Sequence, residues 1–194
     1  MPHLVDLLPA KSHVIFQFLF GPEENRDIFK AFLKAVLDMP AEEFAAFKRI
    51  KPHRFPAEDG PTLVFEITRP SGQMIYLEIM SCPITDMREN FMNFTLRASR
   101  QRPNESGKLP KCIFIGINDI DMFPENKDYH QCFRLENPKN ATSLTDLFEI
   151  HTLELTKLPP EDDGTPLWSW AKLLTLRELW VDDDGEISKD HPLF

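Results

Sequence analysis

Basic residues are in short supply. Lysine and arginine number 22 against 31 aspartates and glutamates, a net charge of −9. That balance argues against a protein that coats nucleic acid over its whole surface, while leaving room for a local basic face. Cysteine is scarcer still: Cys82, Cys112 and Cys132 are odd in number and widely spaced, with no C-x-x-C. Neither a disulfide framework nor a zinc knuckle is expected, and the thiols suit a reducing compartment. No apolar stretch is long enough to cross a bilayer, and the amino end, MPHLVDLLPAK, lacks the basic and apolar regions of a signal peptide. There is no internal repeat and no low-complexity run. A soluble, cytoplasmic protein with no membrane partner is expected. At 194 residues and 42% hydrophobic, the chain can bury the core of one domain, with a small appendage.

The most informative stretch is LVFEITRPSGQMIYLEIMSCP, Leu63 to Pro83. Two β-rich runs flank Pro70-Ser71-Gly72, a hairpin signal. With Gly72 in the left-handed position of the loop, Arg69 pairs with Gln73, Glu66 falls opposite Tyr76, and Val64 falls opposite Glu78. Strand alternation then puts Leu63, Phe65, Ile67, Ile75, Leu77 and Ile79 on one wholly apolar face, which predicts a core beneath it. Val64, Glu66, Thr68, Met74, Tyr76, Glu78 and Met80 share the other, mixed face, where chemistry would sit.

Around this hairpin the chain reads as an alternation of helices and strands. Residues Ser12 to Asp38 read as helix broken near Gly21-Pro22, with Phe16, Leu19 and Phe20, then Ile28, Phe32, Ala35 and Val36, at helical spacing. Pro22 suits the first turn of the second helix. Ala41 to Lys48 suits a short helix, and Arg49 to Gly60 is a connector carrying Glu58-Asp59. Ile84 to Arg100 reads as a helix with Met87, Phe91, Phe94 and Ala98 on one stripe and Arg88, Arg97, Arg100 and Arg102 as local positive charge. KCIFIGIN, Lys111 to Asn118, suits a central strand buried on both faces. HQCFRL and DLFEIHTLEL are further strands, and Leu167 to Trp180 is an amphipathic helix beyond the linker PPEDDGTP. His130, Glu149, His151 and Glu154 invite a metal reading, but none has the spacing that fixes zinc geometry. On one strand Glu149 and His151 share a face and Glu154 points the other way, so a structural role is expected.

Four segments are similar to the recombination-promoting nuclease and transposase family of the PD-(D/E)XK superfamily. GQMIYLEIM resembles the family's G-x-I-x-x-I-E-x-Q, and HVIFQFLFG resembles its D-x-x-F-K-x-L-F-G, with His13 and Gln17 in place of Asp and Lys. Asp128-Tyr129-His130 with Phe133-Arg134-Leu135, and Thr145 through Leu155, resemble D-Y-H-x-x-F-R-L and T-D-x-x-E-I-H-x-L-E-L. The likeness spans Pro9 to Leu158. It implies an α/β fold, a mixed sheet of about five strands flanked by helices, with a restriction-endonuclease-like core over residues 1–158 and a shortened, acidic helical extension over 159–194. It also implies descent from Mg²⁺-dependent DNA endonucleases of bacterial mobile elements.

Carried over by position, the family's metal-holding Glu falls on Glu78, its Asp on Val64 and its Lys or Gln on Met80. Valine offers no lone pair and methionine's soft sulfur suits magnesium poorly. Glu66, about 7 Å along the strand by its rise, and Asp59 of the connector are the acids that could join Glu78 at a displaced ion. Lys51 or Arg88 could replace the missing cation. Arg88 and Arg97 are the candidates to meet phosphate or to pair with Glu78. The expectation is therefore a nuclease-family protein with a degraded catalytic site and weak or absent cleavage, binding Mg²⁺ only if activity survives. The alternative is a non-catalytic module holding nucleic acid or another protein, as a decoy or inhibitor.

Overall fold

A computed structural model describes residues 16, 19–40, 43, 62–82, 87–105 and 107–175. Their elements are α1 (Arg26–Leu37), β1 (Thr62–Thr68), β2 (Met74–Cys82), α2 (Arg88–Ala98), β3 (Lys111–Asn118), β4 (His130–Arg134), β5 (Phe148–Glu154), a short 3₁₀ turn (Leu155–Lys157) and α3 (Pro166–Thr175). The five strands form one mixed sheet in the order β1-β2-β3-β5-β4. β1 and β2 are antiparallel, β2, β3 and β5 run parallel, and β4 returns antiparallel to β5 along the edge. The fold is α/β, as the element order and the family likeness imply.

The hairpin register is the expected one. Gly72 takes φ +77°, the Arg69 amide donates to the Gln73 carbonyl at 2.8 Å, and Val64 and Glu66 stand opposite Glu78 and Tyr76. Leu63, Phe65, Ile67, Ile75, Leu77 and Ile79 all enter one core, with Ile113, Ile115 and Ile117 of β3 and Leu153 of β5 beside them. Covering that face are Phe16, Leu19 and Phe20, the Phe29, Phe32, Leu33 and Val36 stripe of α1, and Ala171 and Leu174 of α3. Trp170 stands edge-on to Phe32 at 5.5 Å between ring centroids, so α3 shares the core of the sheet. Two details of α1 depart from the expectation. Ile28 is exposed, because the buried stripe is phased one residue later, and the helix begins at Arg26, so Pro22 lies in the bend before it.

The opposite face carries a second core. Val64, Tyr76, Met80, Met87, Phe94, Cys112, Phe114 and Met122 are buried together, with Phe91 and Ala98 packed against them. The α2 stripe thus meets the sheet as its spacing predicts. Gly116 lets the helix come this close: a Cβ there would stand 2.6 Å from the Met87 sulfur and 3.0 Å from the Phe114 ring. With helices on both sides, β2 and β3 are covered on both faces, which is why KCIFIGIN reads as an unbroken apolar run.

The end of β5 is tied down by a buried carboxylate. Glu154, fully enclosed, accepts from the Met122 amide at 2.8 Å, from Gln131 Nε2 at 2.8 Å and from Lys157 Nζ at 2.8 Å. The same lysine reaches Asp121 at 2.9 Å and the Phe123 carbonyl at 2.7 Å. Breaking a buried ion pair from one side strands the other charge and costs roughly 3–5 kcal/mol. Glu154→Ala is expected to lower the urea midpoint by a loss of that order, while Asp128→Ala, on the exposed loop before β4, shifts it little.

Candidate functional site

Glu78 lies in the middle of β2, with Val64 opposite it on β1 and Phe114 beside it on β3. Strand alternation puts Tyr76 and Met80 on the same face. The side chain points beneath α2 and is 0% exposed. A carboxylate in such surroundings must be satisfied by hydrogen bonds and an opposite charge. Arg97, in the last turn of α2, supplies both: its Nε donates to Oε1 at 2.8 Å and its Nη2 to Oε2 at 2.7 Å. The Tyr76 hydroxyl also donates to Oε1. This is the bidentate fork that suits guanidinium and carboxylate, strengthened by charge on both partners.

The neighbours are neutral. Burial, and then the carboxylate of Glu78, raise the pKa of the Tyr76 hydroxyl well above its usual range. The same two causes, in the same order, push the Cys112 thiol up to about 11. The pair of Glu78 and Arg97 lies on the face that carries the buried cluster of Val64, Tyr76, Met80, Phe94, Cys112 and Phe114.

Both Glu78 oxygens are engaged, and three of a carboxylate's roughly four acceptor sites are taken. Magnesium asks for several oxygen ligands in octahedral array. Among the described residues, the groups around Glu78 offer aliphatic carbon, a thioether, aromatic rings, a phenolic hydroxyl already donating to it, and a positive charge. The described residues do not fit a divalent cation: no group of three or more His, Cys, Asp or Glu side chains among them is placed to hold one.

Of the other candidates, Glu66 is half-buried opposite Tyr76, on the same face as Glu78. Asp59 and Lys51 lie outside the described residues. Arg88 turns elsewhere: it donates to the Met122 carbonyl at 2.7 Å and lies over the Phe123 ring, 5.7 Å from its centroid. The charge partner of Glu78 is thus Arg97. Helical phase distinguishes them, because nine residues at about 100° each place the two arginines on opposite sides. Arg97 follows the buried Phe94 by three positions and so stands toward the sheet. Arg100 and Arg102 remain exposed. The part played by Tyr76 went unnoticed in the sequence, although its place two residues before Glu78 puts it on the same face.

A second polar cluster sits at the β4–β5 edge, on the opposite face. Cys132 is paired with His151 across the strands, and His130 Nε2 and His151 Nδ1 are 3.1 Å apart. Glu149 is held by Arg134 at 2.9 Å and Lys111 at 3.0 Å, with His151 Nε2 at 3.7 Å. Glu149 and His151 do share a face, while Glu154 lies on the other. Burial opposes ionisation of Glu149, but His151, Lys111 and Arg134 outweigh it and bring its pKa down to about 2. Burial first, and His151 second, lower His130 to about 4.

A mixed sheet flanked by helices, with a glutamate buried on the second strand of its hairpin, is consistent with a nuclease-family fold. The family model described as PD-(D/E)XK nuclease family transposase matches residues 11–182, and the chain belongs to that family. No curated protein and no solved structure matches it.

Two outcomes follow from these geometries. Arg97→Met leaves Glu78 buried without its cation and is expected to cost about 3–5 kcal/mol in denaturant unfolding. Adding Glu78→Gln to that variant should recover a large part of the loss, a coupling that a double-mutant cycle reads directly. For His130, the folded pKa of about 4 lies below the ordinary 6.5. The unfolded chain then binds more protons between those values, so stability falls as pH drops from about 6.5 to about 4 and this contribution is gone below. His130→Gln should flatten the stability profile across that window, while the loss due to Glu149, between about 4.5 and 2, persists.

Proposed function

We propose that this chain keeps the scaffold of the DNA endonucleases to which its family is related, that its catalytic site is degraded, and that it cleaves DNA weakly or not at all. The observation that carries this reading is the engagement of both oxygens of the fully buried Glu78 by Arg97. Phosphodiester hydrolysis by a metal-dependent nuclease requires an ion that polarises the phosphate and lowers the pKa of a bound water. With Val64 and Met80 where the family likeness places the other two ligands, no group of three or more His, Cys, Asp or Glu forms around Glu78 among the described residues. Its geometry instead suits a structural ion pair joining α2 to the sheet.

On this reading the protein acts by binding. The net charge of −9, and the inward engagement of Arg88 and Arg97, favour a protein partner over nucleic acid, and a decoy or inhibitor role on a nuclease scaffold accords with that. The free thiols of Cys112 and Cys132 suit the reducing cytoplasm of a bacterial cell.

Plasmid DNA incubated with the protein and Mg²⁺ or Mn²⁺ tests the proposal. Nicking is expected to stay at background and to be unchanged in Glu78→Ala. Metal-dependent nicking abolished by that substitution would overturn it. A salt-sensitive mobility shift without cleavage would move the binding reading toward DNA.

A further inference from the structure

The β4–β5 hairpin is well hydrogen-bonded, yet none of the described residues covers its outer edge. Past the end of β4 it continues through the bridge between Glu136 and Ser143 to a tip fixed by hydrogen bonds. The Asn137 amide donates to the Thr142 carbonyl at 2.9 Å, the Ala141 amide to the Asn137 carbonyl at 2.8 Å and the Lys139 amide to Asn137 Oδ1 at 2.9 Å. Every residue from Cys132 to Leu144 is nevertheless exposed. On one face the arm carries Phe133, Leu135 and Leu144, the last 80% exposed. Leu135 and Leu144 stand opposite each other, since the Glu136–Ser143 bridge is the next rung. An ordered, open edge strand with apolar side chains is a template for another strand.

The backbone shows which groups that strand would meet. The Tyr129 and Leu135 carbonyls and the Asn137 amide point inward to the neighbouring strand, accepting from Glu154 at 2.8 Å and from Leu144 at 2.9 Å, and donating to Thr142. By alternation, residues 130, 132, 134 and 136 turn their amides and carbonyls outward. The outward-facing run is charge-complementary to itself. Arg134 and Glu136 flank Leu135, and Arg134 keeps 52% of its side chain in solvent while its Nε bonds Glu149.

We infer that β4 is the dimerisation edge of this protein, pairing antiparallel with β4 of a second copy about a two-fold axis at Leu135. In that register Arg134 lies opposite Glu136 of the second copy, and the reverse contact repeats it, as an isologous interface requires. Cross-strand pairs of opposite charge favour this alignment. Leu135 meets its counterpart on the axis, with Leu144 flanking it on each side in one apolar row across four strands, and the two five-stranded sheets join edge to edge. Pro138, with no amide hydrogen, ends the pairing on either side. The interface uses neither Glu78 nor Arg97, so it stands or falls independently of the loss of cleavage.

Sedimentation or light scattering at micromolar concentration should return twice the chain mass of 22.6 kDa. Glu136→Arg, which sets arginine against arginine twice, should halve it without changing the circular dichroism spectrum. Leu135→Cys in a Cys132→Ser background should form an intermolecular disulfide on mild oxidation, because residues on the axis face each other at a non-hydrogen-bonded position within bridging distance. A wild-type chain that sediments as a monomer overturns the inference, including the case in which the arm serves a different protein. So does a dimer indifferent to Glu136→Arg, or a Leu135→Cys variant that fails to cross-link.

Discussion

The contact on which the second face depends is the fork between Arg97 and Glu78. A carboxylate withdrawn completely from water carries a desolvation penalty that only a well-oriented cation and further hydrogen bonds can offset. Among the described residues the compensation comes from two donors of one guanidinium and one phenolic hydroxyl. The pair also joins the last turn of α2 to the centre of the sheet, so satisfying a charge and docking a helix are the same event. Val64, Met80, Phe94 and Phe114 lie in the buried cluster on this face, and the burial of Glu78 strengthens its attraction to a guanidinium that keeps 20% of its side chain in solvent.

Much of this was open to a reader of the sequence, and the reasons are physical. A strand has a side-chain period of two, and a loop with glycine at its left-handed position allows one register, so Val64 opposite Glu78 followed from counting alone. KCIFIGIN was legible as a central strand because burial on both faces leaves no polar position. The limits of α1 were less so: Pro22 is compatible with a first turn, but the chain bends for three residues more before the helix starts. The partner of Glu78 was the hardest to read. Two arginines on one helix were both within sequence reach, and choosing between them requires knowing which stripe faces the sheet.

The sheet carries its polar groups in separate places, each with its own chemistry. Glu78 is satisfied by a cation, Glu154 by an ammonium, an amide and a side-chain amide, and Glu149 by two cations beside an imidazole pair. The likeness in T-D-x-x-E-I-H-x-L-E-L therefore rests on residues that anchor β5: His151 to β4 on one face, and Glu154 to the loop after β3 on the other. They maintain the frame whatever becomes of the chemistry, and fold-level kinship alone does not transfer a mechanism.

Gly116 shows how much can rest on an atom that is not there. Met87 settles over its bare Cα at one end of α2, while Arg97 is gripped through Glu78 at the other. Fastened at both ends, the helix is set down along the sheet by one contact that needs a missing side chain and one that needs a charged one.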